Sequence, residues 1–189
     1  MERLQEHQMA NDTPLPLPEA THPTHWLPPS LAQYEANCDG AIFPDVNCAK
    51  LGVVIKYFEG TVIAALSERV PLPPLVDDLE ALACRKSITL APEIRLQDVI
   101  FEGDSEVVFK HITTDSTCLA SFRHIVEESR SLVSRLRYAS FSHVKRCCNA
   151  VANKLARLAK YSLNPQIWLE DIHRNATNLV IMDRNFLSI

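Results

Sequence analysis

The feature that most limits this chain is a pair of β-forming runs, Leu51–Phe58 and Thr61–Leu66, separated only by Glu59-Gly60. So short a connection, with Gly in it, joins antiparallel neighbours. Tyr34–Asp39, a short run ending in Asp-Gly, precedes them, and the pattern predicts a three-stranded antiparallel opening. Pro71, Pro73 and Pro74 then interrupt the chain, because proline fixes φ and has no N–H for a ladder. Helical spacing follows from about Leu75 to Leu90, and Pro92 stands where that helix should stop.

Asp98–Asp104 reads as a fourth strand, with Ser105 as the cap of a short helix reaching Ile112. A helix is expected over 117–136 and a fifth strand over 138–144. The last helix is expected over 148–161, with Val151, Leu155 and Leu158 on one stripe. The order β-β-β-α-β-α-α-β-α predicts an α/β (α+β mixed) fold, a five-stranded mixed sheet flanked by helices. Six of the twelve prolines precede residue 30, so residues 1–30 are expected to be a flexible, extended tether outside the core. Residues 31–165 then form the folded domain. Residues 166–189 form a tail that folds back or is ordered only by docking.

A chain with 47% hydrophobic and 22% charged residues is not a disordered polyelectrolyte. No stretch approaches the ~20 apolar residues of a membrane span. The first residues hold no apolar run, so no secretory signal is expected. The six cysteines, none in a CxxC pair, then read as reduced thiols of an intracellular protein. The net charge of −4 hides an asymmetry. Residues 121–160 carry nine Lys or Arg against two Glu, net +7, while the remainder carries ten against twenty-one, net −11. Such a segment is either a phosphate-binding surface or a set of solvated helix faces.

Three acids stand in unusual places. Asp39 closes the first strand, where Asp-Gly also suits a plain turn. Val76, Leu79, Ala83, Ser87 and Leu90 form the apolar stripe of the first helix, and Glu80 falls within it beside Ala83 and Cys84. A carboxylate there costs several kcal/mol unless a cation or hydrogen bonds compensate it, or unless it snorkels from the stripe's edge. Asp104 ends an apolar strand at a helix junction, where an Asp also serves as a cap.

Taken in order, four motifs point one way. They are Asn37-Cys-Asp39-Gly-Ala; Leu51-Gly-Val-Val-Ile-Lys56 with Gly60-Thr-Val-Ile-Ala-Ala65; Glu80-Ala-Leu-Ala; and Ile100-Phe-Glu-Gly-Asp104-Ser. Together they resemble the type 1 ribonuclease H domain, most closely its plant retroelement-derived, reverse-transcriptase-like subgroup. Trp26-Leu-Pro-Pro29, Asn149-Ala-Val-Ala-Asn153-Lys-Leu-Ala156 and Trp168-Leu-Glu170 fit that subgroup too.

The resemblance implies that Asp39, Glu80 and Asp104 bind two divalent ions, Mg²⁺ or Mn²⁺. It further implies an endonuclease that hydrolyses the RNA strand of RNA–DNA hybrids, leaving a 5′-phosphate and a 3′-hydroxyl. The family's fourth acid falls at Asn153, four residues after Asn149. Its amide oxygen can still coordinate but brings no charge, so reduced activity is expected. Lys145, Arg146, Asn149 and Lys154 match a nucleic-acid-binding surface. His143 is the one candidate for a product-release histidine, or else simply ends the strand. Two alternatives stay open: a weakened or inactive ribonuclease H-like module that binds nucleic acid or protein, and a Cys–His zinc site at His143, Cys147 and Cys148. Adjacent cysteines on a helix would diverge by about 100°, which argues against the zinc site. No membrane partner is expected, and oligomeric state is not encoded legibly.

Overall fold

The computed structural model describes residues 23–114, 120–158, 160 and 162–185. Its elements are β1 (Tyr34–Phe43), β2 (Cys48–Tyr57), β3 (Val62–Pro71), α1 (Val76–Glu93), β4 (Asp98–Gly103), α2 (Glu106–Thr113), α3 (Arg123–Val133), β5 (Tyr138–His143), α4 (Ala150–Arg157), β6 (Gln166–Leu169) and α5 (Thr177–Asn185). The predicted element order is present. The turn between β2 and β3 closes where Glu59-Gly60 requires it. The Gly60 N–H donates to Tyr57 O at 2.8 Å, and Gly60 adopts φ +74°.

The sheet runs β5-β4-β1-β2-β3-β6. β1 pairs antiparallel with β2, β2 with β3 and β3 with β6, while β4 lies parallel to both β1 and β5. Expectation and structure part at the strand count. Residues 166–169, expected in the tail, form a sixth strand that pairs Trp168 with Ala65 and Ile167 with Leu66. Alternation explains the miss, because only every second side chain of this short edge strand is even partly covered and its apolar run is too brief to stand out.

The larger core lies under α1, α2 and α3, with Leu79, Ile88, Phe101 and Val126 among its members. The smaller core packs Val151, Leu155 and Leu158 of the α4 segment and Val180 of α5 onto Val54 and Ala65. β2, covered on both faces, buries every residue but Tyr57. Gly52 sets how closely α4 sits. A Cβ there would lie 2.2 Å from Ala152 O and 2.3 Å from the Ala156 nitrogen, so any side chain would lift the helix off the sheet.

Two further expectations change. The tether reading fails for the end of the proline-rich segment, since Trp26 is only 1% exposed. Its ring lies 3.8 Å from Lys56 Nζ, and its Nε1 donates to Glu35 Oε1 at 2.5 Å. Residues 1–22 of that segment lie outside the described residues. α4 is also shorter than expected, and Cys147, Cys148 and Asn149 form the turn that precedes it.

Candidate active site

Strand register brings two of the acids together. Parallel pairing sets Asn37 of β1 opposite Glu102 of β4, so Asp39 and Asp104 follow two residues farther along on the same side. Glu80 arrives from α1 on the opposite face. That approach depends on Gly40, where a Cβ would lie 2.4 Å from Leu79 Cγ. One carboxylate oxygen from each of Asp39, Glu80 and Asp104 lies within 4.8 Å of the other two, the one such His, Cys, Asp or Glu group among the described residues.

The electrostatics of this cluster are unfavourable as they stand. Asp39 is fully buried, and burial followed by the Asp104 charge lifts its pKa from 3.8 to about 6. Burial, then Asp39 and Asp104, lift Glu80 from 4.5 to about 8. Arg146 opposes both shifts from its place 3.1 Å from Asp104 Oδ2, but it is an exposed cation on the rim. Asp39 Oδ1 is buried with no hydrogen-bond partner. An all-oxygen donor set with an orphaned carboxylate oxygen fits a hard divalent cation such as Mg²⁺ or Mn²⁺.

Asn153 reaches the cluster from α4, but not with the atom expected. Its Nδ2 donates to Asp39 Oδ2 at 2.5 Å, and its Oδ1 accepts from Arg157 Nε at 3.3 Å. Its amide oxygen is therefore turned away from the acids, and the side chain acts on Asp39 as a donor.

Asn149 was expected to meet nucleic acid, yet it is 1% exposed and its Nδ2 donates to Cys38 O at 2.9 Å. Through that Nδ2 bond it fastens the start of α4 to β1, while its Oδ1 is buried without a partner. Lys145, Arg146 and Lys154 are exposed. His143 ends β5 and lines a cavity of about 510 Å³ with Lys145, Cys148, Glu102 and Glu106. The zinc reading of His143, Cys147 and Cys148 fails, since no such triad brings its ligand atoms together among the described residues.

Sequence reasoning overlooked a second polar cluster on the same face. Glu35, Asn37 and Asp39 alternate along β1, and all three are buried. Lys56 Nζ lies 3.9 Å from Glu35 Oε1 and 3.0 Å from Asp183 Oδ2, while Asn37 Nδ2 donates to Glu102 Oε2 at 3.1 Å. Burial, then Glu35, raises Glu102 to about 8. The period-two spacing of polar residues in β1 was the available signal.

The fold is that of the ribonuclease H class. RNase H1 from the halophilic archaeon Halobacterium salinarum NRC-1 superposes with a TM-score of 0.62 at 25% identity, covering 67% of this chain and 96% of that one. The N-terminal RNase H domain of Rv2228c from Mycobacterium tuberculosis, solved as a maltose-binding-protein fusion, gives 0.59 at 17% identity over 66% and 90%. LC11-RNase H1 in complex with an RNA/DNA hybrid gives 0.55 at 18% identity over 65% and 92%. A family model described as reverse transcriptase-like matches residues 37–159, and the chain belongs to that family. Among curated proteins no match was found. No helix among the described residues is long and apolar enough to cross a membrane.

Proposed function

We propose that the protein is a divalent-metal-dependent endonuclease that hydrolyses the RNA strand of RNA–DNA hybrids. The observation that carries this reading is the approach of Asp39, Glu80 and Asp104 to within 4.8 Å, with Asp39 Oδ1 unpartnered. These three carboxylates would hold Mg²⁺ or Mn²⁺, as two ions. Such ions supply a water of lowered pKa and stabilise charge on the leaving oxygen. Asn153 fixes the Asp39 rotamer through its Nδ2 donor. Arg146 bonds one oxygen of Asp104, leaving the other for an ion, and with Lys145 and Lys154 it meets the phosphate backbone. Recognition through phosphates and 2′-hydroxyls predicts weak sequence preference and steep salt dependence. The likeness to retroelement-derived domains of plants supports that origin and rests on the motifs alone.

One observation favours a second reading. With Asn153 as a neutral donor, the site lacks the fourth charge of its family pattern, which suits a hybrid-binding module of low turnover. Purified protein incubated with a labelled RNA–DNA hybrid and Mg²⁺ or Mn²⁺ separates the two. Cleavage lost in Asp39→Asn supports the nuclease. Cleavage that survives the substitution indicates a contaminant, and tight binding without any cleavage establishes the module.

A further inference from the structure

Cys147 and Cys148 do not diverge as helical neighbours would. They lie in the turn before α4, and their sulfurs approach to 3.9 Å. Cys147 is exposed, whereas Cys38, Cys48, Cys84 and Cys148 are buried. The pair therefore joins one solvent-accessible thiol to one sheltered thiol within reach of it.

We propose that Cys147 and Cys148 form a redox-modification site, oxidised by a hydroperoxide to a disulfide between adjacent residues. In the first step the Cys147 thiolate attacks the peroxide. The O–O bond breaks, water leaves after protonation, and Cys147 becomes a sulfenic acid. In the second step the Cys148 sulfur attacks Cys147 Sγ. The S–S bond forms, the S–O bond breaks, and the thiol proton leaves with the hydroxyl as water. Two thiols lose two electrons and one hydrogen peroxide becomes two waters. Neighbouring Cα atoms stand ~3.8 Å apart across a trans peptide, below the usual ~4.4–6.8 Å disulfide span. A bridge at this position is therefore easily reduced, as a reversible switch requires.

Oxidation has a structural consequence that follows from the chemistry. The Cys148 thiol gives its one hydrogen to His25 O at 3.1 Å or to Pro23 O at 3.4 Å. A disulfide has no S–H, so this tie to the segment carrying Trp26 is lost. Closing a ring across the Cys147–Cys148 peptide also twists the turn held by Cys148 N to Lys145 O and Asn149 N to Arg146 O. Arg146, bonded to Asp104, sits in that turn. The site thus couples redox state both to the Trp26 anchor and to the rim of the acidic cluster.

The test needs no nuclease activity. The full chain is treated with hydrogen peroxide, and the product is weighed intact and mapped by non-reducing proteolysis. The expected result is a loss of about 2 Da, mapped to the 147–148 peptide and reversed by dithiothreitol. Trp26 emission, read in a Trp168→Phe background, should shift to the red on oxidation and return on reduction. Cys147→Ser and Cys148→Ser should each abolish the bridge and the emission shift. Sulfinic or sulfonic acid at Cys147 without a bridge, a bridge to any other cysteine, or a 147–148 bridge that leaves Trp26 emission unmoved would overturn the proposal.

Discussion

Two carboxylate clusters share strands β1 and β4, two residues apart, and the fold treats them oppositely. In the first, Glu35 and Asp183 face the buried Lys56, while the Trp26 indole and the Asn37 amide supply further donors. Burial and then the Glu35 charge raise Glu102 to about 8. In the second, Asp39, Glu80 and Asp104 have no buried cation and one exposed arginine. Each cluster leaves one buried side-chain oxygen without a partner, Asn37 Oδ1 in the first and Asp39 Oδ1 in the second. Buried charge is tolerated only when it is matched. The matched cluster is a structural tie between the N-terminal segment, the sheet and α5. The unmatched one is the cluster to which the proposed function assigns the metal.

The sharpest way to break this contrast is to remove one carboxylate from the unmatched cluster. Asp39→Asn should cost roughly a thousandfold or more in hybrid cleavage, because an ion-binding ligand supports several kcal/mol of charge stabilisation. Cleavage of labelled hybrid measures it. Lys56→Met attacks the other cluster, stranding Glu35 and Asp183, and should lower stability by about 3–5 kcal/mol in urea denaturation. A loss below about 1 kcal/mol would mean that the matched cluster is not a tie.

A pH series sharpens the comparison further. Glu80 and Glu102 at about 8 and Asp39 at about 6 all lie above their ordinary values of 4.5 and 3.8. The folded chain therefore holds protons that the unfolded chain releases. Their stabilising contribution is complete below about pH 4 and is lost as pH rises through about 8. Divalent ions should restore only the share belonging to Asp39 and Glu80. Thermal melts at pH 5.5 and 8 should show Mg²⁺ raising the Tm more at the higher pH, with roughly 2–4 °C for each kcal/mol recovered at this chain size. An equal shift at both values would mean that the ion does not displace those protons.

The smallest expected effect is Asn153→Asp. It replaces the Nδ2 donor to Asp39 with a fourth carboxylate, so the metal-free protein should melt lower and Mn²⁺ should bind more tightly. The cleavage rate should rise by about tenfold, equivalent to ~1.4 kcal/mol of barrier. An unchanged rate would show that α4 contributes nothing to the chemistry.

Much of the fold was legible because its signals are local. The Glu59-Gly60 turn, the Ser105 cap and the Val151–Leu155–Leu158 stripe each depend on a few neighbouring residues. Ser105 Oγ does accept from Val108 N, at 3.4 Å. The three acids were visible as carboxylates at positions where strand ends or an apolar stripe make them costly. What escaped was non-local. Trp26 is buried because Lys56, thirty residues on, gives its ring a cation and Glu35 on β1 gives its indole a partner. The Asn153 amide points by its nitrogen because Asp39 and Arg157 occupy its two sides. The i,i+4 spacing of Asn153 and Arg157 offered half of the second fact; the Asp39 partner, 114 residues away, is what no spacing in that helix carries. Val76, assigned to the apolar stripe, is 58% exposed because α1 begins there, ahead of the covered part of the helix.

The contrast between the clusters reduces to one calorimetric measurement. Mn²⁺ is titrated into the full chain at pH 7 in two buffers of different ionisation enthalpy, alongside Asp39→Asn and Glu80→Gln. Saturable binding accompanied by proton release in the wild type, weakened in both variants, is the predicted result. Absence of saturable binding, or binding that Asp39→Asn leaves unchanged, would contradict the assignment of these acids as the metal centre.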